Sequence, residues 1–240
     1  MSVPTSSTLR KVVLVPTYNE LPTIEPLVEQ LLKVPDLDVW VIDDNSPDGT
    51  GVVAQKIADR TPRVTVLHRE KKNGLGKAYL HGFKRALEAG YDRIIQMDAD
   101  FSHPIAQIPR LLELAQTYDV VLGCRWMPGG GTKNWPRYRQ LLSRGGSLYA
   151  RRWLNLPIRD LTGGFKCFRR EVLLGINLDG IHTTGYAFQI EVTYRAIKGG
   201  FSITETPILF TEREEGTSKM SRQIVLEALL KVPKLRFWLQ

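Results

Sequence analysis

Cysteine is nearly absent: Cys124 and Cys167 are the only two in 240 residues. Two cysteines exclude a disulfide framework, and their separation lacks any metal-ligand spacing, so both are read as reduced, partly buried thiols. Long apolar runs are also missing. No stretch approaches the roughly 20 apolar residues that a membrane-spanning helix requires. The first ten residues, Met1 to Arg10, are polar, lack the apolar run of a secretory signal and are expected to be disordered. A cytosolic location is the resulting expectation. There is no internal repeat and no Ser-, Gly- or Pro-rich tract that would divide the chain. With 42% hydrophobic and 24% charged residues the expectation is one folded domain with a short appendage. Histidine is sparse as well. His68, His81 and His182 stand isolated and read as structural, and His103 reads as a turn residue.

Positive charge, in contrast, is plentiful and unevenly placed. Between Arg125 and Arg170 eleven Lys/Arg face the single acid Asp160, a local excess of +10 in a chain whose net charge is +8. The remainder is therefore slightly acidic. A local basic field recruits phosphates, whether on lipid, on a substrate or on nucleic acid.

The first half alternates short apolar, β-branched runs with segments of helical periodicity. Strands are expected at Lys11 to Val15, Val39 to Ile42, Val64 to Leu67, Arg93 to Met97 and Val120 to Gly123. Helices are expected at Ile24 to Lys33, Thr50 to Arg60, Leu75 to Ala89 and Ile105 to Gln116. This rhythm predicts an α/β fold with a mostly parallel central sheet, helices on both faces and ligands beyond the carboxyl ends of the strands. After Gly123 the pattern changes to a Gly/Pro turn, a basic helix from Arg137 to Leu154, a strand from Gly164 to Phe168, a helix from Ala187 to Ile197 and a Pro-interrupted edge strand from Ile203 to Phe210. The tail, Ser221 to Gln240, is amphipathic and interrupted by Pro233. It fits either an interfacial membrane helix or a terminal helix packed on the domain.

Chemistry is expected at the strand ends. Asp98-Ala99-Asp100 follows the fourth strand, where two carboxylates one residue apart can both face a hard divalent cation such as Mg²⁺ or Mn²⁺. An isolated Asp-x-Asp is more often a solvated turn. The first strand, however, ends in Pro16-Thr17-Tyr18-Asn19-Glu20 and the second in Asp43-Asp44-Asn45-Ser46-Pro47-Asp48-Gly49-Thr50, so three acidic loops gather at successive strand ends. Tyr18 can flank a base, and Glu20 and Asp44 can accept hydrogen bonds from base or ribose. Asp48 or Thr50 could instead simply cap a helix. Asn73-Gly-Leu-Gly-Lys-Ala78 lacks the spacing of a phosphate loop and reads as a helix entry.

The ordered series of these motifs, with Asp98-Ala-Asp-Phe-Ser-His103, Gly123-Cys-Arg-Trp126, Asn134-Trp135 and the segment Arg213 to Met220, resembles the inverting family-2 glycosyltransferases of GT-A fold, in particular the dolichol- and polyprenol-phosphate mannosyltransferases. The resemblance covers almost the whole chain, residues 11 to 220 forming the transferase domain. It implies a GDP-mannose donor lined by Pro16, Tyr18, Glu20, Ile42, Asp44, Asp98 and Ala99, with Asp98 and Asp100 serving the metal. Where some relatives carry Gln as a further ligand this chain has Ser102, which leaves Ser102 or a water as the third. It further implies that Arg125, Arg139 and Ser143 hold the phosphate of a polyprenyl or dolichyl acceptor, while Arg213 and Lys219 close over the donor diphosphate.

A phosphate acceptor suits the composition independently. A phosphate monoester, with a second pKa of about 6, is largely anionic at neutral pH and needs cations to orient it rather than a base to deprotonate it. Meeting such a lipid implies a peripheral position on the cytosolic face of a membrane, through the basic face, the tail or a membrane-protein partner. Other readings remain at this point: glucosyl transfer from UDP-glucose to the same lipid, transfer to a carbohydrate or protein hydroxyl, and nucleic-acid binding by the aromatic-interleaved basic segment. The acidic loops argue against nucleic acid, because they would repel a polyanion. Glu191 is left as a residue that could reach the donor sugar or a basic side chain.

Overall fold

The computed structural model describes residues 9–181, 183, 185–212 and 231–236. Its first half follows the sequence pattern closely: β1 (Lys11–Thr17), α1 (Leu21–Leu31), β2 (Leu37–Asp43), α2 (Thr50–Arg60), β3 (Val64–His68), α3 (Leu75–Glu88) and β4 (Arg93–Gln96). After β4 come a 3-10 turn at Ile105–Gln107, α4 (Ile108–Leu114), β5 (Val120–Cys124), β6 (Gly131–Lys133) and α5 (Arg137–Leu154). The chain then forms β7 (Lys166–Arg169), α6 (Arg170–Gly175), a 3-10 turn at Leu178–Gly180, α7 (Gly185–Lys198), β8 (Ile203–Pro207) and β9 (Leu209–Thr211).

Seven strands form one sheet in the order β3-β2-β1-β4-β7-β5-β8. All neighbours are parallel except β7, which runs antiparallel to both β4 and β5. Central strands covered on both faces must be apolar throughout, and Val12, Val13, Leu14 and Val15 of β1 are all completely buried. One face of the sheet packs against α1, α2 and α4 through Ile24, Leu27, Ile57 and Leu111. The other packs against α3, α5, α6 and α7 through Phe83, Ala150, Val172 and Phe188. Helix α3 approaches the sheet so closely that a Cβ at Gly82 would lie 2.5 Å from Ile42 Cδ1, so any larger residue there would force the Ile42 and Leu14 side chains to shift.

Three expectations are revised. The single helix expected from Ile105 splits, because Pro109 sits at the first turn of α4 and the preceding residues close as a 3-10 turn. The strand expected from Ile203 to Phe210 is two strands. Pro207 ends β8, and the chain leaves the main sheet to pair β9 with β6. Arg93 to Met97 ends one residue early, Met97 donating its N–H back to the Leu14 carbonyl. Of the tail, residues 231–236 are helical, Pro233 included, and bury Val232 and Leu235 in the core cluster of α3 and α7. The rest of the tail, 221–230 and 237–240, lies outside the described residues.

The reversed direction of β7 matters for function. Because β1, β2, β4 and β5 are mutually parallel, their carboxyl ends share one edge of the sheet. An antiparallel β7 begins at that same edge and brings residues 160–164 to it.

Candidate active site

The first two loops are stitched together before they can serve a ligand. The N–H groups of Asn19, Glu20 and Leu21 donate to Ser46 Oγ (3.1 Å), Thr50 Oγ1 (3.0 Å) and Asp48 Oδ2 (3.1 Å). Asp43 gathers the Ser46 hydroxyl at 2.6 Å and the Thr17 hydroxyl at 3.2 Å. Asp48 serves the start of α2 and is a tether as well: its Oδ1 accepts the Thr50 N–H at 2.9 Å while its Oδ2 takes the Leu21 N–H, and the residue between, Gly49, has φ +92° and no side chain to cap with. Above this base Tyr18 carries Lys72 Nζ 3.8 Å from its ring centre. Asp44 pairs with Arg69 at 2.5 Å, and burial raises its pKa against the opposing pull of that guanidinium. Pro16 and Ile42 are register partners on β1 and β2. The Ile42 side chain is fully buried in the core, as is Ala99 almost entirely, so what these two offer a ligand is main chain.

The Asp98–Asp100 loop is held from below. Tyr79 on α3 donates its hydroxyl to Asp98 Oδ1 at 3.1 Å, and burial together with that carboxylate raises the phenol pKa well above its usual value. The Asp98 N–H donates to His103 Nδ1 at 3.1 Å, which fixes the His103 proton on Nε2, 4.0 Å from Asp98 Oδ2. His103 is therefore a buried support, stacked on Phe165 and edge-on to Phe210, and burial depresses its pKa. Asp100 Oδ1 accepts from the Ser102 N–H at 3.1 Å across Phe101, whose φ of +57° is unusual for a bulky side chain. That turn brings both carboxylates to one cleft.

Across the cleft lies a buried cationic wall. Arg125 Nε and Nη2 donate to the two oxygens of Asp160, each at 2.7 Å, and Nη2 also donates to Thr162 Oγ1 at 2.9 Å. Burial alone would raise the Asp160 pKa, but Arg125 outweighs it and holds the carboxyl below its usual range. Thr162 Oγ1 is in turn 3.4 Å from Ser143 Oγ and 3.3 Å from Ser147 Oγ. Arg139, 7% exposed, stacks 4.3 Å over Trp135 and pairs with Glu212. One cleft is lined by Asp98, Asp100, Ser102, Arg125, Arg139 and Glu212.

The structure therefore unites Asp98, Asp100, Ser102, Arg125 and Arg139, with Ser143 linked through Thr162. Arg213 and Lys219 lie outside the described residues, as does His182. Glu191 is buried and meets a basic residue: it accepts from Arg195 Nε at 2.9 Å and from the Thr183 hydroxyl at 2.6 Å. Sequence reading missed Asp160, although a lone acid inside a +10 segment was a usable signal. Thr162, Tyr79, Arg69 and Glu212 carried none. Among the described residues no group of three His, Cys, Asp or Glu could hold a metal ion. Asp98 and Asp100 still fit a hard cation of the kind that keeps several water and substrate-phosphate ligands.

The glycosyl transferase family 2 profile matches residues 12–175. The chain is 48% identical over 228 residues to undecaprenyl-phosphate mannosyltransferase of Micrococcus luteus, covering 94% of this chain and 93% of that protein. It is 45% identical to polyprenol monophosphomannose synthase of Mycolicibacterium smegmatis, covering 94% and 86%. In fold it resembles a Pyrobaculum calidifontis mannosyltransferase solved with GDP-Man and Mn²⁺, with a TM-score of 0.60, 20% identity and coverage of 98% of this chain and 74% of that one. With four strand-end loops, a paired-carboxylate turn and a match of this length, the chain belongs to glycosyl transferase family 2 and has the GT-A fold.

Proposed function

We propose that this chain transfers mannose from GDP-mannose to a polyprenyl phosphate, with inversion at the anomeric carbon. The observation that carries the reading is the meeting of Asp98 and Asp100 with the buried guanidinium groups of Arg125 and Arg139 in one cleft. The near full-length likeness to two lipid-phosphate mannose transferases supports the acceptor class. The donor base and ribose are assigned to the loops bearing Pro16, Tyr18, Glu20, Ile42 and Asp44.

Asp98 and Asp100 would hold Mg²⁺ or Mn²⁺, with Ser102 or water completing the protein side; the ion, when bound, neutralises charge on the departing diphosphate. Arg213 and Lys219 are assigned to the same diphosphate. Arg125 and Arg139 orient the acceptor phosphate, with the Ser143 hydroxyl beside them. The phosphate arrives already ionised, so no side chain has to remove a proton from the nucleophile. His103, neutral and turned toward Asp98, is a support for that carboxylate rather than a base.

Access to the lipid is assigned to α5. Its inner face carries Arg139 and Ser147, while Tyr138, Leu141, Leu142, Leu148 and Trp153 stand exposed on the outer face. Arg137, Arg144, Arg151 and Arg152 flank them, and the helix contains no acid. An apolar ridge rimmed by arginines suits the surface of an anionic bilayer and a peripheral position on the cytosolic face. No helix among the described residues is long and apolar enough to cross a membrane.

The test is a transfer assay with radiolabelled GDP-mannose and UDP-glucose, each offered to a polyprenyl phosphate and to the corresponding alcohol. Label should move only from GDP-mannose and only to the phosphate. Transfer to the alcohol would overturn the baseless mechanism, and preference for UDP-glucose would overturn the donor.

A further inference from the structure

The two arginines of the cleft are neutralised in different ways. Arg125 is locked: its partner Asp160 is completely buried and takes three donors from it, the backbone N–H included. Arg139 is held more loosely. Glu212 accepts from Nη1 only, while Arg139 Nε is buried with no hydrogen-bond partner. A guanidinium presents a fork of donors that a phosphate can engage on two arms at once, so the carboxylate leaves part of this fork unused.

The two partners also differ in freedom. The Arg139 side chain is 9% exposed and pinned against Trp135, whereas the Glu212 side chain is 27% exposed and has a way out to solvent. Glu212 follows β9, whose Thr211 N–H donates to the Ser102 carbonyl, and its own N–H donates to the Lys133 carbonyl. Its backbone thus bridges the Asp98–Asp100 loop and the entry to α5. From there its side chain lies in the same cleft as the two aspartates.

We propose that Glu212 is an internal stand-in for the acceptor phosphate, holding Arg139 in the acceptor-free enzyme and leaving it when the phosphate arrives. The inference rests on the assignment of Arg139 to that phosphate. A buried arginine with no counter-ion is strongly unfavourable, so the empty cleft needs an anion of its own. A covalently attached carboxylate supplies one without admitting free anions from solution. The acceptor must then compete with a tethered group, and Glu212 is a positioning residue that weakens acceptor binding while keeping the site formed.

The experiment compares wild type, E212Q and R139A by calorimetric titration with farnesyl phosphate in the presence of Mn²⁺ and GDP, alongside steady-state kinetics. E212Q should bind farnesyl phosphate roughly two- to fivefold more tightly, the range expected for release of a partly exposed ion pair. Inorganic phosphate should inhibit it at correspondingly lower concentration, and the KM for GDP-mannose should stay within about twofold. E212A should show the same tightening. Equal or weaker farnesyl phosphate binding by E212Q and E212A would overturn the proposal. R139A should bind farnesyl phosphate more weakly than wild type. Unchanged binding in R139A would overturn the assignment of Arg139 itself, an outcome separate from any result with the Glu212 variants.

Discussion

Asp100 offers its carboxylate to the cleft while accepting the Ser102 N–H at 3.1 Å, in a turn that brings Asp98 alongside; the proposed function makes it a metal ligand as well. D100A should lower turnover at least about a thousandfold, the several kcal/mol that a bound metal contributes to charge stabilisation. Calorimetry should show loss of Mn²⁺ binding in the presence of GDP; a variant that binds Mn²⁺ normally would refute the ligand role. Asp160 acts through stability. Removing its charge leaves Arg125 buried without a counter-ion, and D160N should cost about 3–5 kcal/mol of unfolding free energy in urea titrations. A loss below about 1 kcal/mol would mean the pair is dispensable. Lys166 presents a third case, a fully buried amine donating to the Gln189 carbonyl at 2.8 Å and to Thr193 Oγ1 at 3.0 Å. Burial lowers its pKa from 10.5 to about 7. Between those two values the unfolded chain holds the proton and the folded chain does not, so stability rises with pH across that window. Melting temperatures of wild type should therefore climb more steeply between pH 7 and 10 than those of K166M, and equal slopes would contradict the shift.

At the scale of elements, the proposed function gives α5 two jobs on two faces. Substituting Leu141 and Leu148 together by Glu should abolish sedimentation with phosphatidylglycerol vesicles while leaving the melting temperature within about 2 °C, since both positions are exposed. Undiminished vesicle binding would direct attention away from this helix. The helix itself was legible in the sequence near Arg137 to Leu154, as a basic stretch following the Gly/Pro turn at Pro128 to Gly131. Strand β7 was legible only as a strand. Nothing in Lys166 to Arg169 says that the chain runs backwards between two parallel neighbours, since direction is decided by how residues 125–165 travel, and that is set by the tertiary packing of β6 and α5.

For the molecule as a whole, the mostly parallel α/β core and the three acidic strand-end loops followed from local patterns, each confined to a single strand, helix or loop. What escaped were pairings between distant positions. Arg125 was singled out for its charge, but its lock on Asp160 spans 35 residues, and Arg139 meets Glu212 across 73. A cation count cannot reveal which arginines are already neutralised by the fold. The same limit applies to His103: it is the turn residue expected, and its bond from the Asp98 N–H is local, but its burial against Phe165 depends on a residue far along the chain.

Under the proposed function, the arrangement of α5 also sets how far a lipid has to travel. A helix with its side chains is about 10–12 Å across, so a headgroup captured on the inner side of α5 sits only about one such width from a bilayer touching its outer side. The lipid need give up no more than its first isoprene units to water, while the remaining hydrocarbon stays among its neighbours. Catalytic efficiency should therefore level off after the first few isoprenes, with long and medium polyprenyl phosphates indistinguishable when presented in the same vesicles, and a continued rise with length would show that the enzyme grips the chain itself.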